Sequence, residues 1–133
     1  MSAEVRVPIN GDTDVVIARQ RGRALAQPLG FSASELTLIA TAISEIARNI
    51  VNYARQGEVV LAHVERGSRR GLMVVARDEG PGIPDVARAM EDGYSTSRGL
   101  GLGLPGSKRL MDEFDVISEV GKGTTVTMTK WVR

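Results

Sequence analysis

The sequence predicts an α+β fold, a two-layer sandwich in which one mixed β-sheet carries helices on one face. Two long helical patterns lie at residues 14–27 and 32–56, and shorter strand patterns precede and follow them. These helices and strands come in blocks and not in strict βαβ alternation, which is typical of α+β proteins. The chain has 133 residues, so we expect residues 1–133 to form a single domain.

The N-terminal segment is predicted to contain one strand and one helix. Polar and apolar side chains alternate at residues 4–9, which indicates a strand with Val5, Val7 and Ile9 on one face. After a turn at residues 10–12, residues 14–27 have the spacing of an amphipathic helix. The candidate core residues of this helix are Val15, Val16, Ala18, Leu25 and Ala26.

The second helix is the longest and most periodic segment of the chain. Ser32 starts it, and Glu35 three residues later completes a capping box. We expect this helix to run to about Gln56, with Gly57 as its C-terminal stop. One stripe of it is nearly continuous core, formed by Ile39, Ile43, Ile46, Ile50 and Val51.

Two further strands are predicted after this helix. They lie at residues 58–66 and 72–78, joined by a turn at residues 67–71. The apolar run at residues 72–76 is uninterrupted, as expected of a central strand that is covered on both faces.

The C-terminal part is predicted to begin with a loop-rich segment. Residues 79–99 contain one short helix near 85–91, and residues 101–112 form the next helix. Strands at residues 115–120 and 124–131 then form a closing hairpin.

The composition excludes several classes of protein and site. Cys is absent and His occurs once, so disulfides, cysteine nucleophiles and multi-histidine zinc sites are excluded. A net charge of +1 and an aromatic content of 4% give no basis for a nucleic-acid partner. No apolar run reaches the ~18 residues of a membrane span, and the N-terminus lacks a signal-peptide pattern. We therefore expect no membrane partner and a cytoplasmic location.

The long helix carries the first candidate site residues. Glu45, Asn49 and Tyr53 follow each other at intervals of four and so lie on one stripe. The amide oxygen of Asn49 suits Mg²⁺, which prefers oxygen ligands, and the Glu45 carboxylate could accept a proton from an attacking hydroxyl. Taken alone, the spacing fits equally a solvated polar face, and Tyr53 fits a packing or supporting role.

The second candidate is the segment at residues 78–82, directly after the apolar strand. Asp78 ends the strand, and Gly80 and Gly82 would let the backbone approach a flat ligand closely. An ionised Asp only accepts hydrogen bonds, so it suits an exocyclic amine such as adenine N6. The alternative interpretation is a tight turn without a ligand.

Two glycine-containing segments complete the set. Gly99, Gly101 and Gly103 open a predicted helix, where backbone N–H groups and the positive helix end could hold phosphate. Thr124, in the Gly-Thr pair that opens the last strand, could assist Asp78 at the edge of the base. Read singly, the first segment is also compatible with a hinge and the second with a hairpin turn.

The order and spacing of the four motifs together resemble the GHKL (Bergerat) ATP-binding family over essentially the whole chain. The resemblance implies ATP and Mg²⁺ as cofactors, with Glu45 as the general base, Asn49 as the Mg²⁺ ligand and Asp78 reading adenine. Residues 83–98 would form a lid over ATP, and Arg98 would either stabilise the γ-phosphate or be a surface residue of that lid. The other nucleotide-binding residues it implies are Gly80, Gly82, Ile83, Gly99, Leu100, Gly101, Leu102, Gly103 and Thr124.

Within this family, the chain resembles the stressosome switch serine kinases. The resemblance rests on residues 78–83, 91–106 and 109–114. The single His63 lies in a predicted strand, so we expect neither the phosphoacceptor hairpin of a histidine kinase nor, from the 133 residues, the added domains of topoisomerases or chaperones. The resemblance implies a protein serine/threonine kinase that phosphorylates STAS-domain proteins of a stressosome and, once released, switches on an output protein such as a PP2C-type phosphatase.

Two other interpretations remain open from the sequence. The first is an anti-sigma factor that sequesters a transcription factor and phosphorylates its STAS-domain antagonist. The second is an adaptor whose ATP site only sets its shape, against which the presence of Glu45 argues.

Overall fold

A computed structural model describes residues 4–83, 90 and 104–133 of the chain. Its five strands form one sheet in the order β1-β2-β3-β5-β4. The bounds are Glu4–Ile9 for β1, Gly57–Arg66 for β2, Arg69–Asp78 for β3, Glu113–Glu119 for β4 and Gly123–Trp131 for β5. The predicted α+β class is confirmed. The sheet was expected to be mixed, but each of the four neighbouring pairs of these strands is antiparallel.

The helices are α1 at Asp12–Ala26, α2 at Ala33–Asn49 and α3 at Leu104–Leu110. A short 3₁₀ turn at Gln27–Leu29 follows α1, and a π-helical turn at Ile50–Ala54 follows α2. Among the described residues, no helix is long and apolar enough to cross a bilayer.

The core lies between the helices and one face of the sheet. Because strand side chains alternate, every second residue points towards the helices. The residues on this face that are fully or nearly fully buried include Val7, Ile9, Val59, Leu61, Leu72, Val74 and Met128.

The two long helices pack tightly against each other. A Cβ on Gly22 of α1 would lie 2.2 Å from the Cδ1 atom of Ile43 on α2, so the absence of a side chain at Gly22 permits this approach. Val15 and Ala18 are buried on the same helix, whereas Val16 is 39% exposed. The prediction that Val16 lies in the core was wrong, because a single helix offers only one stripe of its surface to the core.

Helix α2 begins as predicted and ends earlier. The Ser32 and Glu35 side chains form both bonds of the capping box, at 3.1 and 2.9 Å. The α-helical geometry stops at Asn49 and not near Gln56, and the π turn ends at Ala54, followed by Arg55 with a φ of +73°. Gly57 is the first residue of β2 and not a helix stop, and a Cβ there would lie 2.3 Å from the Arg77 carbonyl oxygen.

Strand β3 begins three residues earlier than the sequence indicated, at Arg69 and not at Leu72. The predicted turn at residues 67–71 is a two-residue connection, because pairing continues to Arg66 and Arg69. Strand β3 is central, but only Leu72, Val74 and Ala76 of its apolar run belong to the core under the helices. Val75 is buried on the opposite face, outside that core, so a helix layer does not cover both faces of the strand among the described residues.

Candidate functional site

The described residues enclose one mainly apolar cavity between α2, the ends of β3 and β5, and α3. Its volume of about 170 Å³ is roughly ten times the ~10–15 Å³ that one water molecule requires, so it can take a flat ring. The lining residues are Ile46, Asn49, Ile50, Tyr53, Ala54, Ala76, Asp78, Pro81, Gly82, Ile83, Leu104, Thr124 and Val126. An apolar cavity with a few convergent polar groups is the usual form of a small-molecule site.

The π-helical turn shapes the helix side of this cavity. Asn49 is the last α-helical residue, and Tyr53 lies within the π turn, yet both line the cavity. Single π turns inside or at the end of α-helices occur often at functional sites. Arg55 directly follows the turn and is a non-glycine residue with a positive φ, which carries backbone strain next to the cavity.

Asp78 stands at the end of β3, and its register partner on β5 is Thr124. The Oδ1 atom of Asp78 accepts a hydrogen bond from the Gly80 N–H at 2.9 Å. Gly80 itself packs against Ala54, since a Cβ there would lie 2.6 Å from the Ala54 Cβ. Gly80 does not line the cavity. Its lack of a side chain lets the loop after β3 approach the π turn closely.

The hairpin between β4 and β5 is attached to the loop that follows Asp78. The Gly121 N–H donates to the Pro81 carbonyl oxygen at 2.9 Å, and the Ile83 N–H donates to the Ser118 Oγ at 2.7 Å. Gly82 has φ +79°, and a Cβ there would lie 2.4 Å from the Glu119 carbonyl oxygen. The close approach of two backbones thus fixes this wall of the cavity.

Glu45 lies one helical turn before Asn49 but does not line the cavity. Its side chain is 38% exposed and its Oε1 pairs with the Arg48 guanidinium at 3.4 Å. The base role predicted for Glu45 stays a prediction. The predicted site residues Arg98, Gly99, Leu100, Gly101, Leu102 and Gly103 lie outside the described residues.

The donor set at the cavity is compatible with Mg²⁺ held mainly by a nucleotide. Among the described residues, no cluster of three or more His, Cys, Asp or Glu side chains could hold a metal by itself. Mg²⁺ commonly takes one or two protein oxygens and completes its shell with phosphate oxygens and water. The amide of Asn49 in the cavity wall fits that pattern.

The structure brings together five of the predicted residues, Asn49, Asp78, Gly82, Ile83 and Thr124. Sequence reasoning gave Tyr53 a packing or supporting role, although its position four residues after Asn49 was a signal that it faces the same cavity. It missed Ser118 altogether, because a single serine in a short strand carries no sequence signal.

Comparison with known proteins shows what the chain is similar to. Residues 11–130 match the family described as histidine kinase-like ATPase domain. The chain is 50% identical over 133 residues to the serine/threonine-protein kinase RsbT of Bacillus subtilis (strain 168), and the match covers 100% of both chains.

More distant similarity extends to anti-sigma F factors. The protein of that name from Thermoanaerobacter sp. (strain X514) is 31% identical over 121 residues, which is 86% of this chain and 83% of the relative. The one from Geobacillus stearothermophilus is 36% identical over 120 residues, which is 85% of this chain and 81% of the relative.

A solved structure has the same fold. The crystal structure of the RsbU and RsbW domains of a Mycobacterium tuberculosis protein aligns with a TM-score of 0.64 and 20% identity. The alignment covers 100% of this chain and 33% of that longer chain.

Proposed function

This chain belongs to the histidine kinase-like ATPase family, and from that membership we propose that it is a protein serine/threonine kinase that uses magnesium-bound ATP. The main observation in support is the cavity, in which Asn49, Asp78 and Thr124 converge from one helix and two strands. These residues are distant in the sequence, and each has the chemistry that one part of an adenine nucleotide needs. The full-length similarity to a serine/threonine-protein kinase supports the reaction type.

In the proposed binding mode, the adenine ring enters the apolar cavity with its amino edge towards Asp78. The Oδ1 atom of Asp78 accepts a hydrogen bond from the Gly80 N–H, which orients the carboxylate. Asn49 would hold Mg²⁺, which neutralises charge on the phosphate oxygens when bound. Positioning and charge neutralisation supply most of the catalysis in phosphoryl transfer.

In the proposed reaction, a serine or threonine hydroxyl of a partner protein attacks the γ-phosphorus. A new oxygen–phosphorus bond forms, the bond to the bridging oxygen breaks, and ADP leaves. Glu45 accepts the hydroxyl proton, since it lies one turn from Asn49 and its side chain is partly exposed. Arg98 would stabilise charge on the γ-phosphate.

We place this kinase in a partner-switching system of the cytoplasm. Its substrates would be STAS-domain proteins of a stressosome, and its target after release would be an output protein such as a PP2C-type phosphatase. The similarity to both a kinase and anti-sigma factors supports protein partners as the class of substrate and target.

A phosphotransfer assay tests the kinase and the Glu45 role together. Purified protein is incubated with labelled ATP, Mg²⁺ and a STAS-domain protein from the same organism, and Glu45→Ala is compared with Thr41→Ala, an exposed position of the same helix, as a control. We expect Glu45→Ala to reduce transfer by about 10²–10⁴-fold while ATP affinity stays within about threefold. Normal partner phosphorylation by Glu45→Ala would refute the base assignment, and no transfer by the wild type would leave the adaptor interpretation.

Removal of the Asn49 amide tests the magnesium site. In Asn49→Ala, ATP affinity in the presence of Mg²⁺ should fall by at least about tenfold, whereas affinity measured with EDTA should change little, because only the metal-bound complex uses the amide oxygen. Asn52→Ala, an exposed residue of the π turn, is the matched control. An unchanged affinity with Mg²⁺ would exclude the ligand role.

The alternative function is an anti-sigma factor that also phosphorylates its antagonist. The anti-sigma F factors at 31% and 36% identity favour it as the second candidate. The ATP cavity serves both functions, so a binding assay separates them. Retention of a sigma factor, with release upon addition of a STAS-domain protein, would favour the alternative over the stressosome kinase.

A further inference from the structure

The hydroxyl of Ser118 on β4 has three hydrogen-bonding contacts beside the cavity. It accepts from the Ile83 N–H at 2.7 Å, it donates to the Gly123 carbonyl oxygen at 3.1 Å, and it lies 2.8 Å from the Thr124 Oγ1. The side chain is half-buried, and it stands opposite Thr124 in the strand register.

A count of hydrogens determines the direction of the third contact. A serine hydroxyl has one hydrogen and two lone pairs. A carbonyl oxygen cannot donate, so the hydrogen bond between Ser118 and the Gly123 carbonyl uses the Ser118 hydrogen, and the Ile83 N–H occupies one lone pair. With its hydrogen on Gly123, Ser118 accepts in the remaining contact, and this count assigns the donor role there to Thr124, although the 2.8 Å distance alone would fit either direction.

This direction decides what Thr124 offers to a ligand. Its single hydrogen points to Ser118, so its oxygen presents only lone pairs to the cavity that it lines with Asp78. An ionised carboxylate is likewise only an acceptor. The wall formed by Asp78 and Thr124 thus accepts hydrogen bonds and has no hydroxyl hydrogen to give.

On this basis we propose that Ser118 is a positioning residue that makes the nucleotide site selective for a 6-amino purine over a 6-oxo purine. The amino group has two hydrogens, one for Asp78 and one for Thr124, whereas a 6-oxo group would place an acceptor against two acceptors. The proposal rests on the nucleotide site of the proposed function, and it adds the residue that sets the selectivity by orienting its neighbour's hydroxyl.

The test compares binding of ADP and inosine diphosphate, which differ at the purine 6 position, by calorimetry with Mg²⁺. Wild-type protein should favour ADP. In Ser118→Ala the Thr124 hydrogen becomes available to a 6-oxo group, so the preference for ADP should fall about three- to tenfold, the effect of one neutral hydrogen bond. A loss of packing alone would weaken both ligands by the same factor and would overturn the proposal.

A second variant tests the hydrogen direction without altering Ser118. Thr124→Val removes the hydroxyl at nearly constant volume, and it should weaken ADP about three- to tenfold while leaving inosine diphosphate unchanged. If inosine diphosphate loses affinity and ADP does not, Thr124 donates to the ligand and the proposal is wrong. Thr125→Val is the control, since strand alternation directs Thr125 to the opposite face of the sheet.

The double variant, with Ser118→Ala and Thr124→Val together, completes a double-mutant cycle. In the Thr124→Val background, Ser118→Ala should no longer change the ratio of the two affinities, because Ser118 acts only through the Thr124 hydroxyl. Ser118→Thr keeps a hydroxyl and should retain the preference for ADP. A ratio that still shifts in the Thr124→Val background would overturn the proposal.

Failure of the wild type to bind either nucleotide would overturn the proposed function as well, whereas binding without preference would overturn this inference alone.

Discussion

At the scale of single residues, glycines determine how closely the backbone packs around Asp78. A Cβ on Gly123 would lie 2.0 Å from the Asp78 carbonyl oxygen, and one on Gly57 would lie 3.2 Å from the Asp78 Cβ. Contacts of this kind explain why glycines occur beside the cavity: any side chain would move the strand end that carries the carboxylate.

Replacement of Gly123 tests this explanation. Gly123 has φ +124° in addition to the close carbonyl contact, so Gly123→Ala should lower the free energy of unfolding by about 3 kcal/mol or more. Gly121→Ala is the matched control, since Gly121 has φ +82° and nothing within 4 Å of its added Cβ. The control should lose only about 1–2 kcal/mol, the cost of the left-handed conformation. Equal losses in urea denaturation would show that the contact with Asp78 is unimportant.

At the scale of elements, a cluster of polar and aromatic side chains joins the β2–β3 connection to β4 and β5. Glu113 accepts from the Arg66 guanidinium at 2.8 Å and from the Trp131 indole N–H at 2.9 Å. Arg66 and Arg69 lie 4.9 and 4.7 Å from the centre of the Trp131 ring. The hydrogen bond from Arg66, followed by that from Trp131, holds the pKa of Glu113 below its ordinary value of 4.5.

The lowered pKa of Glu113 predicts a pH-dependent contribution to stability. A carboxyl group with a lowered pKa in the folded state stabilises the protein above its unfolded pKa, and this stability is lost as the pH falls through the folded pKa. The Glu113→Gln variant should therefore be less stable than the wild type at pH 7. This difference in stability should disappear as the pH falls below 4.5. Melting temperatures between pH 7 and pH 3 measure this difference in stability, with Asp115→Asn on the same strand as control. A difference that is independent of pH would contradict the charge-based explanation.

At the scale of the whole molecule, the cavity connects elements from both halves of the chain. Its walls come from α2, the π turn, β3, β5 and α3, so a bound ligand contacts segments that only the folded chain brings together. A ligand that binds only the folded state stabilises it in proportion to the logarithm of its concentration.

We expect Mg²⁺-ADP to raise the melting temperature accordingly. At a ligand concentration 100 times the dissociation constant, the free energy of unfolding increases by about 2.7 kcal/mol. This increase corresponds to a rise in melting temperature on the order of 10 °C for a domain of this size. Thermal unfolding monitored by circular dichroism measures it. Asp78→Asn should reduce the shift strongly, because an amide keeps one acceptor for Gly80 but presents an NH₂ group to the ligand. No shift in the wild type at saturating nucleotide would contradict the proposed site.

The sequence by itself determined the fold class, the order of the described elements and the start of α2. Alternation in β1, the capping box at Ser32 and Glu35, and the helical period of the isoleucines are local signals, because each depends on residues a few positions apart. Asn49, Asp78 and Thr124 differ, because none of them indicated a nucleotide alone; only the order and spacing of the four motifs, through the family they resemble, implied one. Their convergence in one cavity agrees with that prediction.

Only the tertiary structure decided where α2 changes to a π turn, that Val16 is exposed, and that the Ser118 hydroxyl lies 2.8 Å from the Thr124 hydroxyl. The helical period continues through Tyr53, so nothing local predicts the π turn; the loop after β3, packed against Ala54, accompanies it in the fold. The direction of a hydroxyl likewise depends on partners from β4, β5 and the loop ending at Ile83. These features follow from contacts between segments distant in sequence, and such contacts exist only once the sheet has assembled.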